Sequence, residues 1–184
     1  SSLEDRGGEL NAYTTKEETA VYGSFLKNDY NKAFDILSDI VFHSSFPDKE
    51  IKKEKEVVLE EINSYKDSPS ELIFDDFEEM IYNNDPIGRN ILGSEQSLKH
   101  INRDSLKEFI SRNYNPEEIV VCSVGNIKEK HLVKLLEKYF GNVAAATRTK
   151  TRTPFSNYKP ANNLVSKNTW QDHCIIGNIA YDVK

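Results

Sequence analysis

Hydrophobic positions along this chain fall mostly into helical stripes. Ala33, Ile36, Leu37, Ile40 and Val41 recur at helical spacing after Asn28 and Asp29, either of which can cap a helix reaching about residue 44. Pro47 and Asp48 start a second helix that runs to about Lys66, where Ser68-Pro69 breaks it. A third helix covers 70–82 around Leu72, Ile73, Phe77 and Ile81, and Asn83-Asn84-Asp85-Pro86-Ile87-Gly88 follows as a turn cluster. Shorter helices are predicted at 94–100 and 103–114, and another at 128–140, stopped by Gly141. Residues 1–6 read as the tail of a helix ended by Gly7-Gly8. Strand signals are fewer. Residues 10–26 form one interrupted strand or two, 118–124 a continuous apolar strand, and 172–181 a final strand. This order predicts an α+β fold with helices packed on a mixed, mainly antiparallel sheet. It forms a single domain over 1–184: a core at 1–142, a connector at 143–169 poor in large apolar residues, and a closing strand within 170–184.

The second helix contains an anomaly. At about 100° per residue, Glu54 and Glu61 lie within roughly 20° of each other. Ile51, Val57, Val58, Ile62 and Tyr65 surround that direction, while Lys52, Lys53, Glu56, Glu60 and Asn63 point away. Two carboxylates thus fall on the stripe expected to be buried. Either they are boundary residues whose heads reach water or an arginine, or they are buried and need a partner or a metal.

Composition narrows the classes. Hydrophobic residues make up 38% and charged residues 29% of 184, as in an ordinary globular protein. With 24 Lys and Arg against 30 Asp and Glu, the net charge of −6 offers no basic stripe for nucleic acid. No apolar run approaches membrane-spanning length, and the absence of a signal peptide is compatible with a cytoplasmic protein, a signal or transit peptide lost upstream being the alternative. Cys122 and Cys174 sit in apolar runs and read as small, buried and reduced, with a disulfide between adjacent strands as the alternative. There is no CxxC pair, and Gly7-Gly8 lacks the residues of a phosphate loop. Asp75, Asp76, Glu78 and Glu79 read as a solvated helix face, and the Thr147–Thr153 alternation of Thr with Lys and Arg as a solvated loop. His173 beside Cys174 reads as a strand residue, with no base for a nucleophile dyad.

Several blocks in register carry a resemblance. They are Gly7-Gly8-Glu9-Leu10-Asn11-Ala12-Tyr13-Thr14, then Glu17-Glu18-Thr19 and Tyr22, and Lys32-Ala33-Phe34-Asp35-Ile36-Leu37-Ser38-Asp39. They continue with Glu54-Lys55-Glu56-Val57-Val58-Leu59-Glu60-Glu61-Ile62, Asp85-Pro86-Ile87-Gly88-Arg89-Asn90-Ile91-Leu92-Gly93, Tyr114-Asn115-Pro116 and Val124-Gly125-Asn126. Together they resemble the pitrilysin/insulinase family of zinc peptidases, which includes mitochondrial processing peptidase and bacterial processing-type peptidases. The resemblance implies that Glu61 is the third zinc ligand and Glu54 the supporting acid near the site. It implies that Asn11 and Ala12 on an edge strand hold substrate backbone while Tyr13 lines a side-chain pocket. The family's inverted HxxEH motif, which supplies two histidine ligands and the general base, is missing. None of His43, His100, His131 and His173 are paired at i, i+4.

By resemblance the motif belongs roughly 15–20 residues upstream of Ser1, so the chain reads as a fragment of a catalytic domain. The intact protein is then expected to be a bacterial zinc metalloendopeptidase acting on extended peptides, paired with a second homologous domain or subunit. This chain alone is expected to bind no catalytic zinc and cleave nothing. The alternative is a non-catalytic family member serving as a structural or peptide-binding subunit. Open strand edges also predict an edge-paired or swapped dimer of the fragment.

Overall fold

A computed structural model describes residues 3–144, 151, 153–168 and 170–180. The chain divides into two compact units, one made of 1–47 and 102–151, the other of 48–101 and 152–184.

The first unit opens with a single 3-10 turn, Glu4–Arg6, closed by Gly7 in the left-handed region at φ 76°. Only glycine takes this conformation without strain. Leu3, 1% exposed, lies beneath the hairpin that follows, and a Cβ on Gly8 would meet Leu3 Cγ and the Ser24 carbonyl at 2.9 Å. Strands β1 (Glu9–Thr14) and β2 (Thr19–Ser24) pair antiparallel, Glu9 opposite Ser24 and Thr14 opposite Thr19. The polar Thr15-Lys16-Glu17-Glu18 insert is therefore a turn, closed by the Thr15 N–H on the Glu18 carbonyl at 2.8 Å.

Helix α1 (Tyr30–Phe42) follows. Asp29 holds its cap position without making a capping bond, because its buried carboxylate is bound by Arg6 at 2.9 Å. Helix α2 (Asp48–Lys66), α3 (Pro69–Ile81) and α4 (Glu95–His100) belong to the second unit. Helices α5 (Arg103–Asn113) and α6 (Glu129–Phe140) return to the first. Reciprocal capping boxes, Ser94 with Ser97 and Asn102 with Ser105, fix the starts of α4 and α5.

The core of the first unit is aromatic: Tyr30 and Phe34 of α1 pack on Leu135 of α6, flanked by Phe25, Leu132, Tyr139 and Phe140. Phe25 meets Tyr30 edge-on at 4.9 Å, and Phe34 meets Phe140 at 6.0 Å, the tilted geometry that aromatic quadrupoles favour. In the second unit Ile62 and Leu98 are buried. Phe155 stacks edge-on against Tyr82 at 5.1 Å, and Gly177 lies so close to Phe77 that a Cβ there would sit 2.8 Å from the ring.

The α+β class and the helix positions agree with the pattern, but the sheet is smaller than expected. Among the described residues it is the β1–β2 hairpin alone, antiparallel and not mixed. The run at 118–124 forms no strand: a 3-10 turn takes Pro116–Glu118, and Val120 and Val124 stand 90% and 93% exposed. The closing run is likewise irregular over 172–180, with Tyr181 outside the described residues. An apolar run becomes a strand only where a neighbour takes its N–H and C=O groups, and no such neighbour lies beside either run among the described residues. For the same reason Cys122 and Cys174 are exposed free thiols, neither buried nor bridged.

Phe34→Ala should cost about 3–5 kcal/mol of stability by removing the ring at the centre of the aromatic core, measured by urea unfolding. A loss below about 1 kcal/mol would show that the α1–α6 contact does not hold this unit together.

Candidate functional site

The two acids named by the sequence both lie on α2, in the second unit. The face of α2 that is covered runs through Ile51, Lys55, Val58, Leu59, Ile62 and Tyr65, with Ile62 only 4% exposed. Glu54, Val57 and Glu61 lie beside that stripe and are exposed. The expectation that Glu54 and Glu61 are buried is therefore corrected. The wheel placed them correctly relative to each other, but the centre of the buried arc passes through Ile62 and Val58, and the acids fall outside it. The boundary reading holds for their geometry. Seven residues apart, they are stacked about 10 Å along the helix axis on one face. Among the described residues neither has a hydrogen-bond or ion-pair partner.

Asn11, Ala12 and Tyr13 are on β1, in the first unit, and all three are exposed. The bond closing the hairpin sets the ladder's phase, so Ala12, opposite Val21, turns its N–H away from β2. That N–H is taken instead by the side chain of its neighbour, Asn11 Oδ1, at 2.8 Å. Tyr13 and Tyr22 form a tilted pair 6.0 Å apart on the exposed face, and the Tyr13 hydroxyl reaches Glu18 at 3.4 Å. The edge of β1 away from β2 carries no ladder among the described residues.

A polar cluster lies where the sequence pointed only to a solvated helix face. Asp75 of α3 is half-buried and accepts a 2.6 Å bond from Asn90 Nδ2. Asn90 Oδ1 in turn accepts the Leu92 N–H at 2.8 Å, which shapes the 90–92 loop. Tyr65, from the last turn of α2, shares its hydroxyl proton between Asp75 and the Glu71 carbonyl, the latter at 3.2 Å. Ile62, Leu72 and Leu92 complete the lining of a cavity of about 190 Å³. Burial pushes the Tyr65 phenol up to about 12, helped by its bond to Asp75 and by the negative charges of Asp75, Glu71 and Glu78. The one sequence signal for this cluster was a tyrosine inside the apolar stripe of α2, since a buried hydroxyl needs a partner.

Among the described residues no three His, Cys, Asp or Glu side chains converge as a metal site, and no helix is long and apolar enough to cross a membrane. Residues 1–95 match the family model described as Insulinase (Peptidase family M16). The chain belongs to the insulinase family, M16. Residues 100–183 match the companion model, Peptidase M16 inactive domain. The chain is 40% identical over 144 residues to "Uncharacterized zinc protease YmxG" of Bacillus subtilis, covering 78% of this chain and 35% of that protein. It is 38% identical over 141 residues to the mitochondrial-processing peptidase subunit beta of Saccharomyces cerevisiae, covering 77% and 30%. The chain thus spans about a third of these curated relatives' length. Among solved structures, a protease from Helicobacter pylori superposes with TM-score 0.73 at 21% identity, covering 84% of this chain and 38% of that one. A Peptidase M16 inactive domain from Pseudomonas fluorescens gives 0.75 at 18%, covering 85% and 39%. At these identities the superpositions establish the fold.

The Tyr65 phenol has a linkage consequence. Its folded value lies above the ordinary 10.0, so the stability from keeping it neutral is whole below pH 10 and is lost as pH rises to about 12. Tyr65→Phe should remove this loss, read by ultraviolet phenolate titration and by stability measured from pH 9 to 12. An unchanged alkaline limb in the variant would exclude Tyr65 as its source.

Proposed function

We propose that this chain is part of the catalytic domain of a zinc-dependent metalloendopeptidase that hydrolyses extended peptides. The observation that carries the proposal is Glu61 in a chain of the insulinase family, exposed on α2 and with no ion-pair partner among the described residues, with Glu54 on the same face. A carboxylate free of other partners is available as a ligand. One carboxylate fits zinc as a third ligand but is not a complete donor set. The two histidines and the general base of an inverted HxxEH motif then come from a longer polypeptide, upstream of Ser1.

Bound there, zinc would supply Lewis-acid activation of the scissile carbonyl and of a water. Glu61 would hold the metal through a carboxylate oxygen. Glu54 would accept the second ring N–H of a histidine ligand and so fix that ring's orientation. An extended peptide adds to the open edge of β1, where Ala12 donates its N–H once Asn11 Oδ1 releases it, and Tyr13 contacts a substrate side chain. A second homologous domain or subunit completes the chamber that admits the peptide.

The second reading is a non-catalytic structural or peptide-binding subunit. The match of residues 100–183 to the family's inactive-domain model favours it.

Calorimetry separates the two readings. Zinc is titrated into this chain and into a polypeptide extended upstream by about 70 residues. The peptidase reading expects tight one-to-one binding by the extended form alone, weakened at least a hundredfold by Glu61→Gln, and peptide hydrolysis abolished by the same change. An extended form that takes up no zinc would leave the peptide-binding subunit as the function. Glu54→Gln is expected to weaken zinc about 10–100-fold, the range seen when outer-shell partners of metal ligands are removed.

A further inference from the structure

We propose that Tyr65, Asp75 and Asn90 form a clamp that positions Glu61, fixing the last turns of α2 against α3 and the 90–92 loop. The inference rests on the metallopeptidase reading for the role of Glu61 and on geometry for the clamp itself.

Tyr65 is one turn beyond Glu61 on the same helix, so an anchor at Tyr65 limits both rotation and fraying of the turn that carries the acid. That turn needs an anchor because it is the C-terminal end of α2, where the helix stops at Ser68-Pro69, and helix ends fray. Burial of Ile62, 4% exposed, sets which face of α2 is covered, but apolar packing is non-directional. The clamp supplies direction. The Tyr65 hydroxyl binds Asp75 and the Glu71 carbonyl on α3, and Asn90 holds Asp75 from the other side at 2.6 Å. Asn90 is itself oriented by the Leu92 N–H at 2.8 Å. Each member therefore has a second partner that fixes its rotamer, and the chain of bonds ties the loop to α3 and α3 to α2. Lys66 adds a weaker tether to Glu95 at 3.5 Å.

The pairing chemistry gives a test by exchange of partners. Asn90→Asp alone sets a second carboxylate against Asp75 and breaks the clamp. Asp75→Asn with Asn90→Asp restores it, because Asn at 75 donates to Asp at 90, Asp at 90 still accepts the Leu92 N–H, and Asn at 75 still accepts from Tyr65.

In this chain, Asn90→Asp should speed hydrogen exchange of amides 61–66 at least fivefold while the α1 amides, 30–42, stay as before. The double variant should return the rates to within twofold of the unsubstituted chain. In the upstream-extended polypeptide the single variant should weaken zinc about tenfold and the double variant should restore it. Unchanged exchange in Asn90→Asp, or no rescue by the double variant, overturns the clamp. Rescued exchange with zinc affinity unmoved throughout overturns the positioning of Glu61. If the unsubstituted extended polypeptide binds no zinc, the metal role of Glu61 falls with the peptidase reading, while rescued exchange upholds the clamp.

Discussion

Rotation of α2 about its own axis is the constraint on which the candidate site depends, and burial of Ile62 sets it. Ile62 is 4% exposed, and Ile51, Lys55, Val58, Leu59 and Tyr65 flank it on the covered side. Turning the helix by one residue, about 100°, would bring Ile62 into water at a cost on the order of 2 kcal/mol and carry a glutamate into the core at a larger one. The same rotation holds Glu54 and Glu61 together on an accessible face. The acids are thus displayed by what the core requires of their neighbours.

The first unit is organised by a different pair of demands. Its aromatic core, centred on Tyr30, Phe34 and Leu135, joins α1 to α6 across a wide separation in sequence. Its buried carboxylate, Asp29, is neutralised by Arg6, which ties the opening 3-10 turn to the start of α1. A buried acid left without that guanidinium would be expensive. Between these elements the hairpin keeps its base against Leu3 and leaves one edge of β1 open. Asn11 occupies the Ala12 N–H on that edge with its own side chain, which blunts an edge that could otherwise pair with another chain.

Helices were legible because each leaves a local record. The spacing of Ala33, Ile36 and Leu37, the break at Ser68-Pro69 and the glycine at 141 mark element ends through steric and capping rules that act within a few residues. The β-rich runs on either side of the polar Lys16-Glu17-Glu18 insert were legible too, but as one interrupted strand or two, and the structure makes them a hairpin. The runs at 118–124 and 172–181 misled because β-rich composition states a preference that only a neighbouring strand can satisfy. Cys122 and Cys174 followed those runs into the exposed class.

The sequence by itself determined the family, through blocks in register, and the shared face of Glu54 and Glu61, through a helical period that no packing alters. Tertiary structure alone decided that this face lies outside the core, because the centre of a buried arc depends on which neighbours cover it. Tertiary structure alone also joined Tyr65, Asp75 and Asn90, 10 and 15 residues apart along the chain, since a hydrogen bond between side chains on different elements leaves no period in the sequence.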